Sequence, residues 1–110
     1  MSEYKPHNLP KLMVAPNGSR RMKKDHKHIP MSIKEICITA RKCFLAGAGA
    51  IHFHVRNEKG FHVLDSGLYK EALTELSLIV PKMHLQITTE AIGIYSPEQM
   101  RNLIYNVDTP

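Results

Sequence analysis

The stretch Ala50-Ile-His-Phe-His-Val-Arg56 decides the fold. Alternation with period two is typical of a β-strand, and it places the apolar residues on one face and His52 and His54 on the other, with Arg56 at the strand's end. A turn signal from Asn57 to Gly60 leads the chain away from it. The stretch therefore predicts a strand that delivers two imidazoles and a guanidinium to one place.

The same arrangement recurs on both sides of this strand. Upstream, an apolar run ends at the turn signal Pro16-Asn17-Gly18, and Ser32 and Glu35 have the spacing of a helix capping box. Apolar residues then recur every three or four positions, as a helix face requires. The predicted order is strand 11–15, helix from 32, strand 50–55, helix 67–80, strand 83–89 and helix from 96. Such alternation predicts an α/β fold with parallel strands and helices packed outside.

Three parallel strands leave two open edges and an apolar inner face with little to cover it, so we expect a fourth strand that these residues do not supply. The 110 residues, of which 43% are hydrophobic, suit one small globular domain. No signal peptide or membrane span is evident, and Cys37 and Cys43 are separated by roughly 9 Å along one predicted helix, too far for a disulfide. We expect a cytoplasmic protein without a membrane partner.

His52 and His54 are the main chemical signal. Imidazole is a common zinc ligand, and two histidines two apart on a strand can share one ion. The alternative is a pair of partly exposed strand histidines without a ligand. Two polar side chains within an apolar strand would cost free energy without a partner, which favours a metal site. His7, His62 and His84 belong to no evident constellation.

Polar residues also follow the other two strands. Asn17 and Gly18 end the first strand, and Thr88, Thr89 and Glu90 end the third. In parallel neighbours these groups converge on one rim, where the threonines can bind a substrate carboxylate and Glu90 can serve as ligand or base. The alternative is that they are turn and cap residues.

A basic segment from Arg20 to His28 lies between the first strand and the first helix. One interpretation is a solvated loop, and the other is contact with phosphate groups of a nucleotide-bearing cosubstrate or of nucleic acid. No aromatic residue interleaves with the charges, so stacking on bases has no support and a nucleic-acid partner is not expected.

Several short motifs together resemble one enzyme family. In order they are Ala15-Pro-Asn-Gly-Ser-Arg-Arg21, Asp25-His26, Ile29-Pro30, Ala46-Gly47-Ala48, His52-Phe-His54-Val-Arg56 and Gln86-Ile-Thr-Thr-Glu90. This ordered set resembles the β-keto acid cleavage enzymes, which include 3-keto-5-aminohexanoate cleavage enzyme. The resemblance extends from about Lys11 to Asn102.

The resemblance implies a TIM barrel that holds a divalent metal, usually zinc, and forms homo-oligomers. It implies an acyl transfer between a β-keto acid and acetyl-CoA that yields acetoacetate and a new acyl-CoA. His52 and His54 match the two strand-borne metal ligands, and Thr88 matches a hydroxyl residue near the substrate carboxylate. Asn17 and Thr89 are further candidate substrate contacts, whereas no catalytic residue is assigned.

Two departures from the family qualify this prediction. Members that act on an amino-substituted substrate carry an acidic residue at the position of Arg20, so an uncharged or anionic substrate is expected here, with Arg20 or Arg56 attracting negative charge. A TIM barrel takes about 250 residues. Residues 1–110 would then be the N-terminal part of one barrel domain, its first three units, and inactive alone. The alternative is a non-catalytic remnant or a small basic protein that binds an anionic partner.

Overall fold

The computed structural model describes residues 9–89 and 95–107. Strands and helices alternate along them, as the sequence predicts. The elements are β1 (Met13–Val14), α1 (Ile33–Leu45), β2 (Ala50–His52), α2 (Ser66–Ile79), β3 (His84–Gln86) and α3 (Pro97–Val107).

The three strands form one parallel sheet in the order β1-β2-β3. Ala50 lies opposite Met13 on one side and opposite His84 on the other, and His52 lies opposite Gln86. The predicted α/β class with parallel strands is therefore confirmed.

Side-chain caps define where the helices begin. Ser32 and Glu35 form the predicted capping box of α1, in which the Ser32 hydroxyl accepts from the Glu35 amide and the Glu35 carboxylate accepts from the Ser32 amide. Asp65 caps α2 by accepting from the Leu68 amide at 2.9 Å. These bonds satisfy amides that have no partner within the helix.

The hydrophobic core lies between the helices and one face of the sheet. Phe53 and Tyr69 are both fully buried, with ring centroids 5.9 Å apart. Each helix contributes buried apolar residues to the same cluster; they are Ile36, Cys37, Ala40, Tyr69, Ala72, Leu76, Leu103 and Val107. The apolar residues of β2 thus fix which face of the strand is covered, and His52 is left on the other.

The structure departs from the sequence-based prediction in three respects. The strands are shorter, and strand pairing of β2 ends at His52 rather than at Val55. The sheet face opposite the helices is mixed rather than apolar, because His52, His84 and Gln86 share it with Met13 and Ala50. The chain after Arg56 does not lead away from β2 but folds back upon it, and Arg56 and His62 form an antiparallel bridge.

Cys37 and Cys43 are both free thiols, as their spacing predicts. Among residues 9–89 and 95–107, no helix is long and apolar enough to cross a membrane.

Candidate metal and substrate site

His52, at the end of β2, is oriented by a residue of the neighbouring strand. Its Nδ1 lies 2.6 Å from Oε1 of Gln86. An amide oxygen only accepts, so His52 donates from Nδ1, and in the neutral tautomer that this bond selects Nε2 carries the lone pair. A metal-binding histidine typically donates its other ring N–H to such a partner, which fixes the ring orientation and the tautomer. Gln86 therefore holds the ring of His52 in the way that such partners hold metal-binding histidines.

His54 is buried, with 6% of its surface exposed, and its ring centroid lies 5.3 Å from that of His52. Its Nδ1 is buried and makes no hydrogen bond within the described chain. Burial is the main cause that lowers the pKa of His54 from 6.5 to about 4, and the nearby His62, His52 and Arg56 contribute to that lowering. The imidazole is therefore neutral near pH 7, which is the form that binds metals.

The geometry of the histidine pair fits a shared metal ion. At a Zn–N distance of about 2.0–2.1 Å and near-tetrahedral angles, two imidazole rings on one ion have centroids about 5 Å apart. The observed separation is 5.3 Å, and the bare Nδ1 of His54 is a buried polar atom that lacks a partner. No group of three or more His, Cys, Asp or Glu side chains suited to a metal occurs in residues 9–89 and 95–107. The two histidines are thus a partial ligand set.

Asn17, a predicted substrate contact, holds the backbone that carries His54. Its side-chain Oδ1 accepts from the His54 amide at 3.1 Å, and its Nδ2 donates to the carbonyls of His54 at 2.7 Å and Pro30 at 3.1 Å. The side-chain amide thereby replaces the strand partner that β1 no longer provides after Val14. Substrate contact by Asn17 stays a prediction, whereas its hydrogen bonds to the backbone of His54 give it a structural role.

Arg56 is 93% buried because its guanidinium binds main-chain carbonyls. Nη1 donates to the Gly60 carbonyl at 2.8 Å, and Nη2 donates to the carbonyls of Gly18 at 2.7 Å and Asn17 at 3.2 Å. One side chain therefore joins the segment after β1 to the turn after β2. Its Nε is buried without a partner in the described chain. Arg56 also lines a cavity of about 490 Å³ near the first turns of α1 and α2, whose lining includes neither histidine.

The remaining predicted site residues lie at different depths. Thr88 and Thr89 are half-buried directly after β3, and the Thr88 carbonyl accepts from the Tyr69 hydroxyl at 3.2 Å. Burial raises the pKa of Tyr69, so this phenol stays protonated and can donate. Arg20 is exposed at the start of the basic segment. The expected role of Glu90 falls outside the described residues.

The basic segment (Arg20 to His28) is folded by local bonds. Asp25 accepts from the Met22 amide at 2.8 Å, and Lys23 donates to the Ile29 carbonyl at 3.1 Å and to Glu35 at 2.5 Å. Its other charged side chains are exposed; they are Arg20, Arg21, Lys24 and Lys27. The solvated-loop interpretation fits these positions, with Lys23 attaching the segment to the start of α1.

Two residues beside the histidine pair have no predicted role in the sequence. Gln86 is part of the last motif of the ordered set, and His62 belongs to no evident constellation. His62 is 1% exposed, and its ring centroid lies 4.8 Å from that of His54. The signal for Gln86 was its register opposite His52, and the signal for His62 was the Asn57–Gly60 turn, which can return the chain along the strand.

Two comparisons with known proteins indicate the family of this chain. A family model described as beta-keto acid cleavage enzyme matches residues 11–107. A 3-keto-5-aminohexanoate cleavage enzyme from Fusobacterium nucleatum subsp. nucleatum is 26% identical over 85 residues. The alignment covers 76% of this chain and 31% of that enzyme, so the chain spans about a third of the length of this relative. Because the family model matches most of the chain, this protein belongs to the beta-keto acid cleavage enzyme family.

Proposed function

We propose that this chain contributes half of a divalent-metal site, most suitably for Zn²⁺, in a β-keto acid cleavage enzyme. The reaction would transfer an acyl group between a β-keto acid and acetyl-CoA and yield acetoacetate and a new acyl-CoA. The observation that carries the proposal is the histidine pair: two rings 5.3 Å apart, one with Nδ1 bound to Gln86 and the other with a buried, unpartnered Nδ1.

Four side chains of this chain would take part in the reaction. His52 presents the ring nitrogen that Gln86 does not occupy, and His54 presents a neutral imidazole at a fixed backbone position. Thr88 and Thr89 donate hydroxyl hydrogen bonds to the substrate carboxylate. A divalent ion supplies Lewis acidity, which polarises a ketone oxygen and stabilises enolate-like charge.

The charge of Arg20 would determine which substrate charge is preferred. Its side chain is exposed beside the segment that follows β1, where a guanidinium repels an ammonium group and attracts a carboxylate or phosphate. The substrate is therefore a β-keto acid without a positive charge. Steady-state kinetics with paired substrates test this point: an uncharged β-keto acid is preferred over its amino-substituted analogue, and Arg20→Glu reduces that preference. A wild-type preference for the amino-keto acid would refute it.

The described elements would form the first three units of a TIM barrel. The positions of His52 and Gln86 support this assignment: they are the last residues of β2 and β3, and barrel enzymes carry active-site groups at the C-terminal ends of their strands. The 31% coverage of the Fusobacterium enzyme supports it as well. Further strands would supply the missing ligands and pair the open sheet edges, and the full-length protein would form the homo-oligomer that the family resemblance implies. The intact mass of the polypeptide from its source cell tests the assignment: about 30 kDa, near that of ~250 residues, is expected, and 12.5 kDa would favour a non-catalytic remnant or anion-binding protein.

The metal site is tested by zinc analysis of the purified protein at its native length. His52→Ala and His54→Ala are expected to lower Zn²⁺ affinity by more than ~100-fold, because loss of a direct ligand exceeds the loss of an outer partner. His26→Ala and His28→Ala are matched controls, since these histidines have the same spacing on the exposed segment. Affinity is measured by chelator competition, and acetoacetate formation in parallel. Equal losses in the two pairs, or a wild-type protein without zinc, would refute the proposal.

A further inference from the structure

We propose that His62 is a positioning residue that fixes the ring of His54 for metal binding. The inference rests on the proposed metal site and adds a residue from outside the two-histidine motif. It starts from an asymmetry: His52 is oriented by its hydrogen bond to Gln86, whereas Nδ1 of His54 makes no hydrogen bond within the described chain. A contact with the ring itself can hold His54 while leaving Nδ1 available to a metal ion.

The turn after β2 is built to return His62 to the strand. The Asn57 amide donates to the Phe61 carbonyl at 2.8 Å, and the Asn57 side-chain oxygen accepts from the amides of Lys59 and Phe61 at 3.0 Å each. Gly60 has a φ of 88°, which few other residues adopt at low cost. The chain then pairs antiparallel with the strand extension at Arg56 and His62. His62 therefore occupies a place set by a rigid turn rather than by a free loop.

His62 is itself held firmly. Its side chain is 1% exposed, and its Nδ1 lies 3.0 Å from the Val55 carbonyl. The carbonyl only accepts, so His62 donates from Nδ1. Burying an imidazole costs free energy that an apolar side chain in the same place would not incur. A ring that is both buried and fixed by a backbone bond is suited to orienting a neighbour.

The neighbour is His54. The two ring centroids lie 4.8 Å apart and the rings are inclined by 74°, an edge-to-face contact, and the centroid of His52 lies 5.3 Å from that of His54. His54 thus contacts two rings, and the buried ring of His62 limits the space in which the His54 ring can rotate. His62 would do for His54 by ring contact what Gln86 does for His52 by a hydrogen bond.

The test separates the ring contact from the Val55 bond. His62→Asn can keep an N–H donor toward the Val55 carbonyl but removes the ring, whereas His62→Phe keeps a ring of similar size and removes the donor. We expect His62→Asn to lower Zn²⁺ affinity by about 10–100-fold, the usual effect of an outer partner of a metal ligand. His62→Phe should retain most of the wild-type affinity. Gln86→Leu is the reference variant, with a loss in the same range as His62→Asn.

The readouts are chelator competition for Zn²⁺ and the visible absorption spectrum of the Co²⁺-substituted protein at native length, which reports ligand geometry. Leu76→Ala controls for general loosening, because Leu76 is fully buried in the core on α2 and is expected to leave the Co²⁺ spectrum unchanged. A wild-type protein that binds neither ion would overturn the proposed metal site itself. Wild-type binding with unaltered affinity and spectrum in His62→Asn, or equal changes in His62→Asn and Leu76→Ala, would overturn the role of His62 alone.

Discussion

Two histidine pairs with the same spacing lie in very different parts of this molecule. The rings of His52 and His54 are 5.3 Å apart, and those of His26 and His28 are 5.5 Å apart. The first pair lies at the end of β2, with His52 partly buried and His54 buried, whereas both histidines of the second pair are exposed. The His-x-His pattern therefore sets the distance between rings, and it does not decide whether they form a site.

The difference lies in what holds each pair. In the exposed pair, Nδ1 of His26 accepts a hydrogen bond from the amide of His28 at 3.2 Å, so one ring nitrogen is used within the segment itself. In the buried pair, Asn17 and Arg56 fix the backbone and leave Nδ1 of His54 without a bond. One ring nitrogen is engaged in each pair, Nδ1 of His26 or Nδ1 of His52, so the pairs differ in their support: a side chain 37 positions away, Asn17, holds the backbone of His54.

The largest loss of stability is expected from removing the guanidinium of Arg56, which joins the segment after β1 to the turn after β2. Arg56→Met leaves the carbonyls of Asn17, Gly18 and Gly60 without their donor, at about 1–3 kcal/mol for each buried group. We expect a loss of about 4 kcal/mol in the free energy of unfolding, measured by urea denaturation. Arg20→Met is the matched exposed control and should change stability by less than about 0.5 kcal/mol. Similar losses in both variants would mean that the carbonyl contacts of Arg56 contribute little.

Asn17→Ala should remove the side-chain hydrogen bonds that hold the backbone of His54. It leaves the amide and carbonyl of His54 and the carbonyl of Pro30 unpaired, which should cost about 3 kcal/mol. Asp25→Ala, which removes the bond to the Met22 amide in the exposed segment, should cost below about 1 kcal/mol. Thermal unfolding of both variants measures the difference. An Asn17→Ala protein as stable as Asp25→Ala would show that the strand extension holds without its side-chain partner.

The two glycines beside Arg56 provide a finer comparison. Gly60 has a φ of 88°, and an added Cβ would lie 2.7 Å from the Met31 methyl, whereas Gly18 has a φ of 60° and open space around it. Gly60→Ala should cost about 2 kcal/mol, through both backbone strain and crowding, and Gly18→Ala about 1 kcal/mol through strain alone. Denaturation midpoints test the order. A larger loss for Gly18→Ala would indicate that the Met31 methyl moves aside freely.

The sequence predicts the order of elements well because hydrophobic period and caps are local signals. Ser32 with Glu35, and Ser96 with Gln99, have capping-box spacing, and both boxes form. The alternation through β2 likewise predicts which face holds His52. The strand ends were predicted too long because pairing depends on the neighbouring strand, and β1 pairs only at Met13 and Val14.

The support of the site could not be predicted, because it depends on contacts between distant residues. Asn17 reads as a turn residue, yet its amide binds His54, 37 positions away. Arg56 reads as a charge for a substrate, yet its donors reach Gly18, 38 positions away. His62 follows the Asn57–Gly60 turn, and the residue types of that turn do not determine whether the chain returns along β2 or leaves it. The motif identifies the two histidines, and only the folded chain shows what surrounds them.

The smallest expected effect on stability comes from the ion pair that attaches the basic segment to α1. This attachment is electrostatic, whereas the backbone of the histidine site is held by buried hydrogen bonds. The hydrogen bond from Lys23, with help from the Ser32 and Met31 amides, lowers the pKa of Glu35 to about 2 from 4.5. Because the folded-state pKa is the lower one, this stabilisation is present above about pH 4.5 and is lost as the pH falls toward 2. Glu35 is partly exposed, with 39% of its side-chain surface accessible, so solvent screening keeps the contribution below about 1 kcal/mol.

Glu35→Gln keeps an amide oxygen for the capping box but neither titrates nor pairs as an anion with Lys23. Its free energy of unfolding should therefore change less than that of the wild type between pH 4.5 and 2, in urea titrations at a series of pH values. Glu71→Gln, on the exposed face of α2, is the control and should keep the wild-type pH profile. Added salt should narrow the gap between wild type and Glu35→Gln at neutral pH, since a partly exposed ion pair is screened. If the gap is unchanged in high salt, the capping bonds rather than the Lys23 pair account for it, and the segment is attached by hydrogen bonds as the histidine site is.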